Sequence, residues 1–392
     1  LASVKPIAYF DRYQIDYRRA PAGRDDSLLF ASPSVGSDVA ITLTNFSSAD
    51  LYLLDVTQPL QPVRLTGSTP TADGLAFVDD LTTEGKGYLA ASQALSPVSV
   101  EAYHATVDLL QPAEGADVIA IAPEAFFTAL QPWVDRREAQ GYRVRVVDVE
   151  DTYALFNGGV LHPEAIRSFV AYAHANWPAP APEYLVLVGD GHFNFKGFNP
   201  ATYGDFLPVH IPPYLDFLDP DQGEVPVDSY YADLDGDGLA DFAVGRFPVQ
   251  TVSQLEGVVG KILAYEDRES GPWMRNLLFV ADDGYNNSEP GFAAALDNLA
   301  ATYASPLLSM DKVYIKDYCS PVSVNPCIAA TLALTQSWGQ GPALLTYSGH
   351  GSINRWGHEP LLWNVDVATL EPMEGLPFII SLDCWDGYWM FP

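Results

Sequence analysis

Over the first hundred or so residues, short apolar runs alternate with clusters of Gly, Pro, Ser and Asp. Residues 39–44, 51–56 and 87–90 read as strands, and no helical period separates them. Strand signals at such short spacing predict an all-β, sandwich-like domain over residues 1–112. No catalytic cluster falls within it, so an accessory or packing role is the default expectation.

From about residue 115 the period changes. Residues 117–122 read as a buried strand, and residues 124–140 place Phe126, Phe127, Leu130, Trp133 and Val134 at helical spacing before Gly141. A strand at 142–149, a helix opened by Pro163 and running to 177, and a strand at 184–190 follow. Residues 191–231 are rich in Pro, Phe, Tyr and Asp without a clear period, which predicts a long functional or wrapping loop. A helix at 252–268 then leads to a boundary at Gly271-Pro272. Beyond it come a strand at 276–281, a helix at 292–303, a strand at 312–316 and a helix at 327–338. Two further strand-like runs, 343–347 and 377–382, complete the chain. Alternating strands and helices predict a doubly wound α/β region in two subdomains, 113–270 and 271–392.

Composition narrows the function. Lys and Arg number 20 against 50 Asp and Glu, a net charge of −30. Such a surface repels phosphate backbones and anionic lipid, which argues against nucleic-acid binding, and no apolar run is long enough for membrane insertion. It suits bound cations, secretion or a salty habitat. The chain begins at Leu1 without Met, so a mature or trimmed N-terminus is expected. Of three cysteines, Cys319 and Cys327 bracket a Pro-containing loop that a disulfide would close; two unpaired thiols in a reducing compartment are the other reading. The disulfide leaves Cys384 as the odd thiol.

The last two strand-like runs each end in a loop carrying a reactive side chain. The first continues as Ser348-Gly349-His350-Gly351-Ser352, the second as Asp383-Cys384-Trp385-Asp386-Gly387. In a parallel sheet both loops fall at the carboxyl edge, where function gathers. An imidazole within reach draws the proton of a thiol and makes the thiolate a nucleophile. The amides of Gly351 and Cys384 are candidate donors to a tetrahedral oxyanion. On residue types alone, a Cys packed behind the sheet and a surface His are the alternative.

These residues carry a resemblance. Tyr347-Ser348-Gly349-His350-Gly351-Ser352 with Trp356, then Ser381-Leu382-Asp383-Cys384-Trp385-Asp386-Gly387-Tyr388, resemble the catalytic His and Cys motifs of the gingipain-type cysteine peptidases. That family shares its fold with caspases, legumain and separase. The resemblance extends to Gly189-Asp190, to Asp241-Phe242-Ala243-Val244-Gly245-Arg246-Phe247-Pro248, to Lys261-Ile262-Leu263-Ala264-Tyr265-Glu266, and to Leu54-Asp55-Val56-Thr57 in the β region. It implies a caspase-like catalytic region behind the N-terminal β domain, acting on protein or peptide substrates outside the cell or at its surface. Cys384 becomes the nucleophile, His350 the proton carrier, Gly351 an oxyanion donor, and Asp241 the acid that orients His350.

A second role competes for Asp241. Asp233-Leu234-Asp235-Gly236-Asp237-Gly238-Leu239-Ala240-Asp241 sets carboxylates at alternate positions before a Gly, as calcium loops do. Position 12 is Val244 rather than Glu, which excludes an EF-hand and leaves a half-loop or a merely solvated acidic turn. Calcium is expected there on Asp233, Asp235, Asp237 and Asp241, although Asp241 cannot readily serve both the ion and His350. His192, His358 and Glu359 are weaker candidates for the cleft wall. No two histidines have zinc-peptidase spacing.

The chain ends eight residues after Cys384, where members of the family continue. A further chain or C-terminal segment completing the fold is therefore an expected partner. Transpeptidation, as in the sortase-like member of a secretion system, is the close variant of hydrolysis. A non-catalytic surface or assembly module on a peptidase fold is the alternative from another class.

Overall fold

Five consecutive buried residues, Val118–Ala122, form the strand on which the first α/β sheet is built. A computed structural model describes residues 20–390, apart from 33–35, 59–60, 82–85, 95–104, 106–107, 196–210, 220–222, 285–290, 320–325, 368–369 and 371–374. Parts of the expected long loop and of the loop between Cys319 and Cys327 lie outside the described residues.

Two compact units emerge, Leu1–Ala102 and Tyr103–Pro392. In the first, antiparallel strands form one sheet of four strands and one of three. Leu28, Leu53 and Tyr88 from one sheet and Ile41, Leu75 and Phe77 from the other share a single apolar core, as a sandwich requires. The strand Gly74–Leu81 adds to the expected set; its run Gly-Leu-Ala-Phe-Val-Asp-Asp-Leu mixes burial too irregularly for a clean alternation.

The second unit contains two four-stranded parallel sheets. In chain order the strands are β1 (Val118–Ala122), β2 (Val144–Asp148), β3 (Tyr184–Val188), β4 (Ala243–Phe247), β5 (Asn276–Ala281), β6 (Ser309–Tyr314), β7 (Leu344–Ser348) and β8 (Phe378–Leu382). The first sheet is ordered β2-β1-β3-β4 and the second β6-β5-β7-β8, the same local order twice. The main helices are α1 (Phe127–Ala139), α2 (Val149–Phe156), α3 (Pro163–Asn176), α4 (Val252–Asp267), α5 (Phe292–Tyr303) and α6 (Ile328–Trp338).

Strand periodicity explains the double winding, because alternate side chains point to opposite faces. Ile119 and Ile121 pack with Ile166, Phe169 and Val170 of α3, whereas Val118, Ala120 and Ala122 meet Leu130, Trp133 and Val134 of α1 and Leu255 and Val259 of α4. In the second sheet Leu278, Val280, Leu345 and Tyr347 cover α6, while Phe279 and Ala281 cover α5. The expected doubly wound architecture is thus present.

Local chemistry sets the departures from expectation. The Asp148 side chain accepts the Glu150 amide, which stops β2 and starts α2, a helix the apolar pattern did not reveal. The strand expected at 312–316 ends at Tyr314, and Ile315–Tyr318 turns into one helical turn. Thr251 and Gln254 form a reciprocal capping box that opens α4.

Candidate functional site

The second sheet reverses its winding between β5 and β7, and the crevice of an open α/β sheet lies at the carboxyl ends of such strands. Ala281 of β5 pairs with Ser348 of β7, and Ser348 pairs with Leu382 of β8. Asp282 therefore follows directly on β5, while His350 and Cys384 each stand two residues beyond a paired strand end. Parallel register alone brings the three loops to one edge.

His350 is held from several sides. Its Nδ1 lies 2.8 Å from Asp282 Oδ2, and its amide donates to the same oxygen at 3.1 Å. The amide of His358 adds a third contact at 3.3 Å. The Asp282 side chain is fully buried, whereas the His350 side chain keeps 25% of its surface exposed. Tyr347 Oη and the Gly357 amide donate to the His350 carbonyl at 2.6 and 2.8 Å, and Phe292 meets the imidazole edge-on at 5.2 Å. With Nδ1 facing a carboxylate, the neutral imidazole carries its proton there, which makes Nε2 the basic nitrogen.

The cysteine loop abuts this histidine loop. A Cβ placed on Gly351 would stand 2.1 Å from Asp383 Oδ2 and 2.3 Å from the Cys384 carbonyl, so only glycine allows the approach. Gly349 is similarly confined, its Cβ position lying 2.4 Å from Asp282 Cβ. Cys384 is exposed and unpaired. Trp385 takes a positive φ of 67°, a strained conformation for a bulky residue, immediately after the thiol. Trp356 Nε1 donates to Asp386 Oδ2 at 2.9 Å and ties the loop to the hairpin after His350. Burial, reinforced by the charge of Asp386, pushes Asp383 up to about 7 despite the Ser381 hydroxyl.

The carboxylate on His350 is thus Asp282, which corrects the expectation for Asp241. Asp241 lies before β4, at the amino end of that strand, and its Oδ2 accepts the Leu234 amide at 2.7 Å inside the acidic loop. The sequence signal for Asp282 was its place directly after a strand, in the manner of the His and Cys loops. In the acidic loop, one carboxylate oxygen from each of Asp233, Asp235 and Asp237 lies within 4.8 Å of the others. Gly236 and Gly238 supply positive φ values of 81° and 87°. This donor set fits a hard cation, whereas Asp241 is absent from it and braces the loop instead.

Cys319 and Cys327 are bonded, with Cα atoms 6.0 Å apart. His192 is buried, stacks on Phe193 at 4.5 Å and accepts the Asn194 amide, a structural placement. Glu359 is buried beside Asp282 and Asp283, and burial, the charges of Glu359 and Asp282 and a side-chain hydrogen bond with Glu359 push Asp283 up to about 6. Arg246, paired with Asp228 and donating to the Gly189 carbonyl, stacks at 3.9 Å on Trp389 and so anchors the segment after Cys384. A cavity of about 990 Å³ is lined by Lys261, Tyr265, Trp338, Trp363, Phe378 and Asp386. It lies against the amino-terminal half of β8, and among these residues Asp386 alone belongs to the cysteine loop.

Comparison with known proteins bears on this arrangement. The model of peptidase family C25 matches residues 111–390. Gingipain R2 of Porphyromonas gingivalis is 23% identical over 287 residues, covering 71% of this chain and 33% of the relative. The crystal structure of the Arg-specific cysteine proteinase gingipain R superposes with a TM-score of 0.51 at 20% identity, over 74% of this chain and 58% of that one. A complex of the pro- and mature domains of a Porphyromonas gingivalis gingipain gives 0.51 at 21% identity, over 70% and 57%. The chain spans about a third of the curated relative and under three fifths of these solved chains.

Proposed function

The chain belongs to peptidase family C25, and from that premise we propose that it is a cysteine endopeptidase whose nucleophile is Cys384. His350 Nε2 takes the thiol proton, and the thiolate attacks the carbonyl carbon of a peptide bond. The amides of Gly351 and Cys384 donate to the oxyanion. The imidazolium then gives its proton to the leaving amine, forming an acyl-enzyme. Water, losing a proton to His350, releases the acid and restores the thiol. Asp282 is a positioning residue that fixes the imidazole tautomer and stabilises its charged form.

The observation that carries this reading is the 2.8 Å contact of His350 with buried Asp282, on the edge that also presents the exposed Cys384. The test is alkylation of Cys384 by a thiol-directed electrophile at neutral pH, run beside hydrolysis of a protein substrate. Fast labelling that is lost in His350→Ala, with hydrolysis lost in Cys384→Ala, is expected. Equal labelling of both proteins, without hydrolysis, would replace the enzyme with a non-catalytic module. Products joined to an added amine would identify transpeptidation instead.

Calcium in the acidic loop belongs to the same reading. Asp233, Asp235 and Asp237 would hold the ion, which stiffens the turn leading into β4 and takes no part in bond cleavage. Work outside the reducing cytosol is supported by the Cys319–Cys327 bond and the net charge of −30. On β8, Phe378 is 60% and Leu382 54% exposed, which supports packing of a further segment or chain against that strand.

A further inference from the structure

The residue before the nucleophile is an acid over which the histidine loop closes. Asp383 joins the end of β8 to Cys384. Its Oδ1 accepts the Ser381 hydroxyl at 3.3 Å, whereas its Oδ2 is buried and has no hydrogen-bond partner. Among the described residues no lysine or arginine pairs with it. The buried oxygen packs on Gly351, where an added Cβ would come within 2.1 Å of it and 2.6 Å of the carboxyl carbon. Gly351 carries the amide assigned to the oxyanion, so the carboxyl adjoins a group whose work is electrostatic. The titratable groups nearby come from three elements. Cys384 and Asp386 share its loop, and Asp386 Oδ2 accepts Trp356 Nε1 at 2.9 Å. On β7, burial and the charges of Asp282 and Asp383 hold the Tyr347 phenol protonated, well above its ordinary range. His350, next to Gly351, faces Asp282 of the β5 end at 2.8 Å.

We propose that Asp383 is a positioning residue that must stay protonated for Cys384 to work, which makes the cysteine loop a pH-sensitive switch. A carboxylate oxygen enclosed without a donor is costly, and a proton on the group relieves that cost. The neutral acid tolerates negative charge developing on the sulfur or on the oxyanion beside it. Once its proton passes to water, a second negative charge stands at the same place, where it disfavours the thiolate and opposes the oxyanion.

Burial, reinforced by the charge of Asp386, sets the change near 7. Asp383 is therefore neutral in mild acid and charged in mild base, and cleavage declines as pH rises through that value. The close approach of Gly351 is what gives the charge its leverage, because nothing but a glycine Cα separates the carboxyl from the amide. The effect on cleavage rests on the peptidase reading; the effect on the thiol does not.

The test is a pair of pH profiles on the intact chain, one of kcat/KM for a protein substrate and one of Cys384 alkylation by iodoacetamide, a neutral probe. In the parent, kcat/KM should fall about tenfold as pH rises through 7, the effect of roughly one pK unit. Asp383→Asn, which stays neutral, should keep its activity into the alkaline range and label several-fold faster than the parent just above neutrality. Asp386→Asn removes a charge that holds the proton on Asp383, so it should move the parent's decline to lower pH. It also serves as the second variant should Asp383→Asn fail to fold. A decline in Asp383→Asn at the parent's pH would overturn the proposal. So would a uniform loss at every pH, which marks a purely structural role, or a decline left in place by Asp386→Asn. Identical labelling profiles for the parent and Asp383→Asn would overturn it too. Labelling profiles that separate as expected, in a parent that cleaves nothing, would uphold the switch on the thiol and remove the peptidase reading.

Discussion

His350 and Asp282 meet at 2.8 Å across two neighbouring parallel strands, 68 residues apart in the chain. The amides of His350 and His358 converge on the same carboxylate oxygen, so the contact is over-determined rather than incidental. Its consequence is kinetic. Asp282→Asn keeps the shape but changes the favoured tautomer, and kcat should fall by about 10²–10⁴-fold with KM little altered. Asp241→Asn should leave kcat and its pH profile in place. Steady-state kinetics on the two variants decide between the acids, and the reverse pattern would restore Asp241.

Asp383 should make the protein more stable in mild acid. Its folded-state value, about 7, lies above the ordinary 3.8. The folded state therefore holds the proton more tightly, and this group's contribution is complete below about 4 and lost as pH rises through 7. Melting curves across that window should show Asp383→Asn gaining on the parent at the alkaline end and matching it at the acid end. A constant offset would contradict the assignment.

Gly351→Ala tests the approach of the two loops. A methyl group at 2.1 Å from Asp383 and 2.3 Å from the Cys384 carbonyl forces them apart. A loss of about 1–3 kcal/mol in stability is expected from such overpacking. Alkylation of Cys384 should slow along with it. Normal melting and normal labelling would mean that the loops do not touch.

Arg246 should matter well beyond its own strand. Its side chain is only 4% exposed, pairs with Asp228 and lies over Trp389. Removing it strands a carboxylate and frees the segment after the thiol, a cost of about 3–5 kcal/mol. Arg246→Ala should melt early and shift tryptophan emission to the red. Adding Asp228→Asn should recover part of the stability, because the orphaned charge is gone.

The acidic loop should respond to chelation. An ion bound only by the folded state at a hundredfold excess over its Kd adds about 2.7 kcal/mol. Calcium should therefore raise the melting temperature of the parent more than that of Asp235→Asn. An equal response in the two proteins would remove the ion from this loop.

Much of this molecule was legible in one dimension. The apolar runs at 117–122, 184–190 and 343–347 read as strands and pack into the core, whereas the run at 377–382, read as buried in the same way, forms a strand that the described residues leave largely exposed. Short polar caps were less visible: Asp148 ends a strand and starts a helix through a single hydrogen bond, which no hydrophobic period records. β4 was hidden by Gly245 and Arg246, whose polarity makes sense only once Asp228 lies beside the guanidinium.

The sequence by itself determined the alternation of strands and helices, the carboxyl-edge placement of His350 and Cys384, and the glycines around the histidine, because these follow from local period and chain direction. Only the tertiary structure decided which carboxylate holds the imidazole. Asp241 and Asp282 are both acids near strands, and only their places, before one strand and directly after the other, differ locally. Asp282 follows its strand at the point where the sheet reverses, and parallel register sets it beside the loop of β7. Asp241 precedes its strand, and its carboxylate is taken up by a backbone amide of the acidic loop. Partner choice depends on distances across strands far apart in the chain, and those exist only once the sheet has formed.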